Sequence, residues 1–153
     1  MKQYRIFSVL FISLFLFLNI GCAQKSGTAK DNARFVKDSE GVITDSSTGL
    51  QWFSGPDRIM SWNEAKAWVS SLDVDKGNWK MPTMVELKGI ATGKYGKYQI
   101  DPIFELDSCC VWSGETKESS FVWVFHFPYG PTTWNINADA TLNARTLAVR
   151  SRK

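Results

Sequence analysis

The side chains best suited to covalent, redox or metal chemistry are few: Cys22, Cys109, Cys110 and a single histidine, His126. Cys109 and Cys110 are adjacent, and neighbouring residues of an extended chain point to opposite sides, so a bond between them requires a turn. The pair is compatible with a vicinal disulfide, with two unpaired thiols of which one is buried, or with a link to another chain. A redox or nucleophilic role calls for a nearby base or a C-x-x-C spacing, and the sequence shows neither. His126 lacks a second histidine or a cysteine cluster at ligand spacing, so no metal site is expected and a hydrogen-bonded strand residue is the ordinary reading. Nothing in the spacing assembles a Ser-His-Asp arrangement, and no cofactor is implied.

Oxygen-bearing side chains make a second grouping. Asn135, Asn137 and Asp139 alternate, which places them on one side of the chain if a strand persists there. Such ligands suit calcium, although hydrogen bonding within a turn uses the same residues. With Tyr129 and Trp134 they form the candidate ligand-binding region, because exposed aromatics and amides are the usual means of gripping a sugar or a loop. Two basic groupings, Lys76, Lys80, Lys88, Lys94 and Lys97, and then Arg145, Arg150, Arg152 and Lys153, suit sulfate or phosphate as well as plain solvation.

The elements that must position these residues are marked by two capping boxes. In Thr83-x-x-Glu86 the hydroxyl accepts from first-turn amides while the carboxylate reaches back to the cap amide. Pro82 keeps Met81 extended before the helix, which is expected to run about two turns, to residue 91 or 92. Gly93 suits the left-handed position that ends it. Ser61-x-x-Glu64 opens a helix over 62–72, where Trp62, Ala65, Trp68, Val69 and Leu72 recur at helical spacing and read as a core stripe. Strand signals fall at 34–36, at 41–44 and 50–53 as a hairpin across the Asp-Ser-Gly turn, at 121–127, and at 146–150. The run from Phe121 to Phe127 alternates large apolar residues on both faces and reads as a central strand, with 132–137 able to return beside it.

Ahead of these lies an apolar run over residues 6–20, preceded by Lys2 and Arg5. It is short for a bilayer core of ~30 Å, and its basic flank fits a secretory signal over residues 1–21. Gly21-Cys22 after that run resembles the lipobox of bacterial lipoproteins, with Asn19 where the motif usually has Leu. The resemblance implies cleavage after Gly21, lipid attachment at Cys22, and a membrane anchor made stable by more than one acyl chain. Ala23 in place of an acidic residue then points to the outer membrane of the cell envelope. Residues 22–33 read as a flexible tether and 34–153 as one domain with a single core. Loss of the leader removes two basic residues and no acidic ones, so the net charge falls from +3 to +1. A nucleic-acid binder should keep its basic footprint after maturation, so none is expected.

Several motifs, taken in order, resemble one family. They are Gly41-Val42-Ile43-Thr44-Asp45, Thr48-Gly49-Leu50-Gln51-Trp52, Ser61-Trp62-Asn63-Glu64-Ala65, Asn78-Trp79-Lys80-Met81-Pro82-Thr83, Ile100-Asp101-Pro102, Val111-Trp112-Ser113 and Val149-Arg150. The chain is similar to the Lcl C-terminal-domain-like group, named from a collagen-like bacterial adhesin. The resemblance implies an α+β, C-type-lectin-like fold, with two helices packed on a small, twisted, mostly antiparallel sheet. It also implies a non-enzymatic role in adhesion or recognition, of a glycan or of an envelope or host protein, as in the adhesin's binding of sulfated glycosaminoglycans. A structural lipoprotein that contacts other envelope proteins is the alternative. Members commonly bridge the first helix to the last strand with a disulfide, and the matching positions here are Val69 and Ala148. Such a cross-link is typically worth ~2–4 kcal/mol, so this domain is expected to be less stable than bridged relatives. The sugar-site signatures of calcium lectins are absent, since Trp134-Asn135 is followed by Ile136.

Overall fold

The computed structural model describes residues 33–93, 98–117, 121–129 and 136–152. They belong to the unit Asn32–Lys153. Cys22 with its leader, the tether through residue 32, and Trp134, Asn135, Lys94, Lys97 and Lys153, lie outside the described residues. Among the described residues no helix is long and apolar enough to cross a membrane.

The fold is α+β. In chain order it runs β1 (Phe35–Lys37), β2 (Ile43–Asp45), β3 (Leu50–Ser54), α1 (Trp62–Ser71), α2 (Met84–Ile90), β4 (Cys110–Lys117), β5 (Phe121–His126), β6 (Ile136–Asn137), β7 (Ala144–Arg145) and β8 (Leu147–Ser151). The strands form two sheets rather than one, in the orders β1-β2-β3-β8 and β6-β5-β4-β7. Chain order explains the division: β8 returns to pair with β3, whereas β4 takes β5 and β7 as its neighbours. All pairings are antiparallel except β4 with β7.

Both helices begin where their capping boxes require. Ser61 and Thr83 accept from the amides of Glu64 and Glu86, and each glutamate takes the cap residue's own amide at 2.7 Å. The second helix ends earlier than its sequence suggests. Ile90 is its last residue, Ala91 is already extended and bridges to Ile100, and Gly93 adopts a φ of 64° beyond the helix rather than at its cap.

Strand alternation sorts the apolar side chains into two clusters. Trp52, Val111, Phe125, Phe127, Leu147 and Val149 pack with Leu87 and Ile90 of α2, and with Phe104. Their alternate neighbours Trp112, Val122, Val124 and Ala148 pack with Trp62, Ala65 and Val69 of α1. Val69 and Ala148 thus share one buried cluster, and packing occupies the position where the resemblance implies a disulfide.

The stretch Trp79–Thr83 ties the two sheets together. Lys80 exchanges both backbone hydrogen bonds with Val149 of β8, at 3.0 and 2.9 Å. Two residues on, the Pro82 carbonyl accepts from the Gly114 amide at 2.7 Å and from the Ser113 hydroxyl at 3.1 Å, both in β4. β4 is bulged at this point, because Trp112 pairs with Val124 and Thr116 with Val122. The bulge bends the strand toward the crossing segment and frees Ser113 and Gly114 to bond to it. Glu115, at its end, accepts from the Met84 amide and completes the start of α2.

Two buried charges hold the rims. Arg150 is 7% exposed, and its guanidinium donates to Gln51, to the carbonyls of Val74 and Gly77, and to the Asp75 carboxylate. Those bonds fix a loop in which Asp75, Lys76, Gly77 and Asn78 all have positive φ, a conformation that non-glycine residues adopt only when the surroundings hold it. Asp45 accepts from Arg34 twice, from the Ser47 amide and from the Thr48 hydroxyl. Burial alone would raise its pKa, but the hydrogen bonds from Arg34, Thr48 and Ser47, with the Arg34 charge, outweigh that and hold it below the ordinary 3.8.

Two predictions follow from these contacts. Because the folded Asp45 pKa lies below the unfolded one, its contribution is fully present above about pH 4 and is lost as pH falls through the folded value. Asp45→Asn should cost ~3 kcal/mol at neutral pH, the scale of breaking a buried pair, and should flatten the acid limb of unfolding free energy against pH. Gly114→Ala would set a Cβ 2.9 Å from that of Met81. With the backbone already bonded to Pro82, the overpacking should cost ~1–3 kcal/mol, read as a lower midpoint in urea.

Candidate functional site

A groove of about 270 Å³ opens between α1 and the crossing segment, lined by Trp62, Lys66, Val69, Ser70, Trp79, Lys80, Met81 and Gly114. Local sequence dictates its shape. Trp62, at the start of α1, turns its indole N–H into the Ser113 carbonyl at 2.7 Å, which anchors the helix on the β4 bulge. Trp79 donates to the Val74 carbonyl at 2.9 Å and lies under the Arg150 guanidinium, 4.3 Å from the ring centroid. Both rings are therefore held in place, and with Met81 they give the groove an apolar floor. Lys66 extends over the Trp62 ring at 4.9 Å. Lys80 pairs with Glu86 at 2.9 Å while its side chain stays more than half exposed. Burial would raise the Glu86 pKa, but the bond from the Thr83 amide and then the pairing with Lys80 outweigh it and leave it below its ordinary value. The carboxylate is thus ionised near neutrality, and Lys80 keeps a fixed direction. The groove offers ammonium groups above an apolar floor, an arrangement that suits an anionic ligand with a flat or apolar body.

A second recess of about 200 Å³ borders the same loop and is lined by Gln51, Asp75, Lys76, Arg150 and Arg152. Its apparent basicity is reduced, since Arg150 is committed to Asp75 and to loop carbonyls. The terminal basic grouping is dispersed in the same way: Arg145 bonds Asp57 at 2.7 Å and Asn143 at 3.0 Å. The sequence left these arginines as anion ligands or solvated charge, because nothing local shows that the carbonyls of residues 74–77 await Arg150.

The region expected to bind ligand is only partly described. Tyr129 is 83% exposed, with its ring 4.6 Å from that of His126. Asn137 and Asp139 are not free oxygen ligands in a row. The Asn137 side chain accepts from the Asp139 amide, and the Asp139 carboxylate accepts from Asn63 on α1 at 2.6 Å. They tie a turn to the helix. Trp134 and Asn135 lie outside the described residues.

Cys109 and Cys110 are joined in a vicinal disulfide. The β4–β5 register sets Cys110 directly opposite His126, and one ligand atom from each of the three residues lies within 4.8 Å of the others. All three are partly exposed, and the His126 Nδ1 atom is buried without a hydrogen-bond partner. Separate readings of the cysteine pair and the histidine missed this juxtaposition. Only the pairing register reveals it, and the bulge between Trp112 and Thr116 hides that register from simple counting.

No curated protein matches the chain at a significant level. The model of the Lcl C-terminal domain matches residues 41–150, from the turn before β2 through both helices and both sheets to the buried Arg150. With most of its length matched, the chain belongs to the Lcl C-terminal domain family.

Proposed function

We propose that this is a lipid-anchored protein of the cell envelope, outer membrane in placement, whose C-type-lectin-like domain recognises an anionic glycan without catalysing its conversion. The observation that carries the reading is the groove beside α1, lined by Lys66 and Lys80 together with Trp62, Trp79 and Met81, with the Lys66 ammonium over the Trp62 ring. Sugars pack their apolar C–H faces against aromatic rings, and sulfate or carboxylate substituents pair with ammonium groups. The lining supplies contact and charge rather than a nucleophile beside a base. Family membership supports a recognition role, and the lipobox-like Gly21-Cys22 supports the anchor. The groove replaces Tyr129, Asn137 and Asp139 as the first choice of surface, since Asn137 and Asp139 bond within their own turn and to Asn63.

The test is binding of a soluble form spanning residues 34–153 to neutral and sulfated oligosaccharides, at two salt concentrations, with and without calcium. Sulfated ligands should bind, should weaken as salt screens the ammonium groups, and should lose about tenfold in affinity, near 1.4 kcal/mol, in Lys66→Glu. Binding that requires calcium would move the site back to the Asn137 and Asp139 turn. Silence across the panel, from a folded protein, would leave a structural role among envelope proteins as the better reading.

A further inference from the structure

We propose that Cys109, Cys110 and His126 form a redox-gated site for a soft d10 cation of the copper(I) kind, closed as the disulfide and opened by reduction. The ligand set argues for the ion. Two thiolates and one imidazole are the donors that soft monovalent copper prefers, and three of them satisfy its trigonal coordination. A structural zinc ion needs a fourth protein ligand, and among the described residues the cluster holds only these three of the kind.

The backbone argues for a built site. Cys110 and His126 are cross-strand partners, a relation that keeps side chains on one face about 5 Å apart. The ladder continues on either side, with the Phe127 amide on the Cys109 carbonyl at 2.9 Å and Cys110 paired to Ala144 of β7. Cys110 and His126 therefore sit in paired strands, and Cys109, in the bend just before β4, is tied to them by its carbonyl's bond from Phe127. The His126 Nδ1 atom is buried and makes no hydrogen bond, so the ring has a nitrogen to offer. Tyr129, stacked at a tilt of 36° on that ring, limits its rotation from the solvent side.

The chemistry balances with a dithiol as the reductant. Its two thiols become a disulfide, and its two electrons and two protons convert the Cys109–Cys110 bond to two thiols. Binding of one copper(I) ion then releases both thiol protons, because the thiolate is the ligand. Exchange with a small disulfide reverses the step: that disulfide takes the two electrons and leaves as two thiols, the Cys109–Cys110 bond re-forms, and the ion, with two of its three donors gone, is released. The site is independent of the groove beside α1, so glycan binding and copper binding fail or succeed separately.

The experiment uses the full chain carrying Cys22→Ser, so that the third thiol takes no metal. Protein reduced with a dithiol and freed of excess reagent competes anaerobically for copper(I) against a chromogenic chelator. Reduced protein is expected to withdraw one copper per chain, with a sulfur-to-metal charge-transfer band in the ultraviolet, and the disulfide form to withdraw none. His126→Gln should weaken the affinity at least tenfold, and Cys109→Ser, which leaves one thiolate, should weaken both the affinity and the charge-transfer band. Near-ultraviolet circular dichroism of the tryptophans checks that each variant is folded. X-ray absorption of the copper-loaded, otherwise unsubstituted site reads the ligands without relying on variants. Failure of the reduced chain to take copper, or a copper shell of sulfur alone with no imidazole nitrogen, would overturn the proposal.

Discussion

The structure depends on one crossing: five residues, Trp79–Thr83, that bond to β8 on one side and to the β4 bulge on the other. Neither sheet is large, since several strands are only two or three residues long. Strands so short gain little from their own ladders, and small sheets become stable by packing. Here the crossing segment supplies the missing connection. Its backbone joins the two sheets, Trp79 and Met81 enter the cluster under α1, and Thr83 starts the helix that covers the other cluster. Arg150 completes the arrangement by holding the loop of residues 74–77 that delivers the segment, against φ values its residues would not otherwise keep.

How much of this was legible in the sequence depends on the range over which each feature is determined. Capping boxes act within four residues, so both helix starts could be read from Ser61, Glu64, Thr83 and Glu86. The end of α2 could not, because Ala91 leaves the helix to bridge Ile100, a partner nine positions away. Alternation along Phe121–His126 showed the cover over Val122, Val124 and Phe125, but not that Phe121 is exposed or that each face feeds a different cluster. The split into two sheets escaped prediction because it is decided by which strand β8 chooses, a non-local matter. Charge was the least legible property. Arg150 and Arg145 look alike in a basic tail, yet one is a buried clamp over Trp79 and the other a surface partner of Asp57.

The same distinction governs the functional surfaces. Asn137 and Asp139 looked like available ligands because alternation is a local property, and they are engaged because Asn63, seventy-six residues from Asp139, reaches them. The groove beside α1 was present in the sequence only as a tryptophan stripe and scattered lysines. Trp62 and Trp79, which line it, give their N–H groups to backbone carbonyls of Ser113 and Val74, partners far from obvious in the sequence. The segment that joins the sheets is also the wall of the groove.

Native-state hydrogen exchange tests the central claim most directly, since it reads each amide's opening separately. If the crossing segment unites the sheets, the amides of Lys80, Val149 and Gly114 exchange only with global unfolding and share the protection of the β3–β8 ladder. Exchange of Lys80 and Gly114 through a local opening of much lower free energy, with both sheets still protected, would contradict it: the segment would then be a covering loop, and the two sheets would be held by their cores alone.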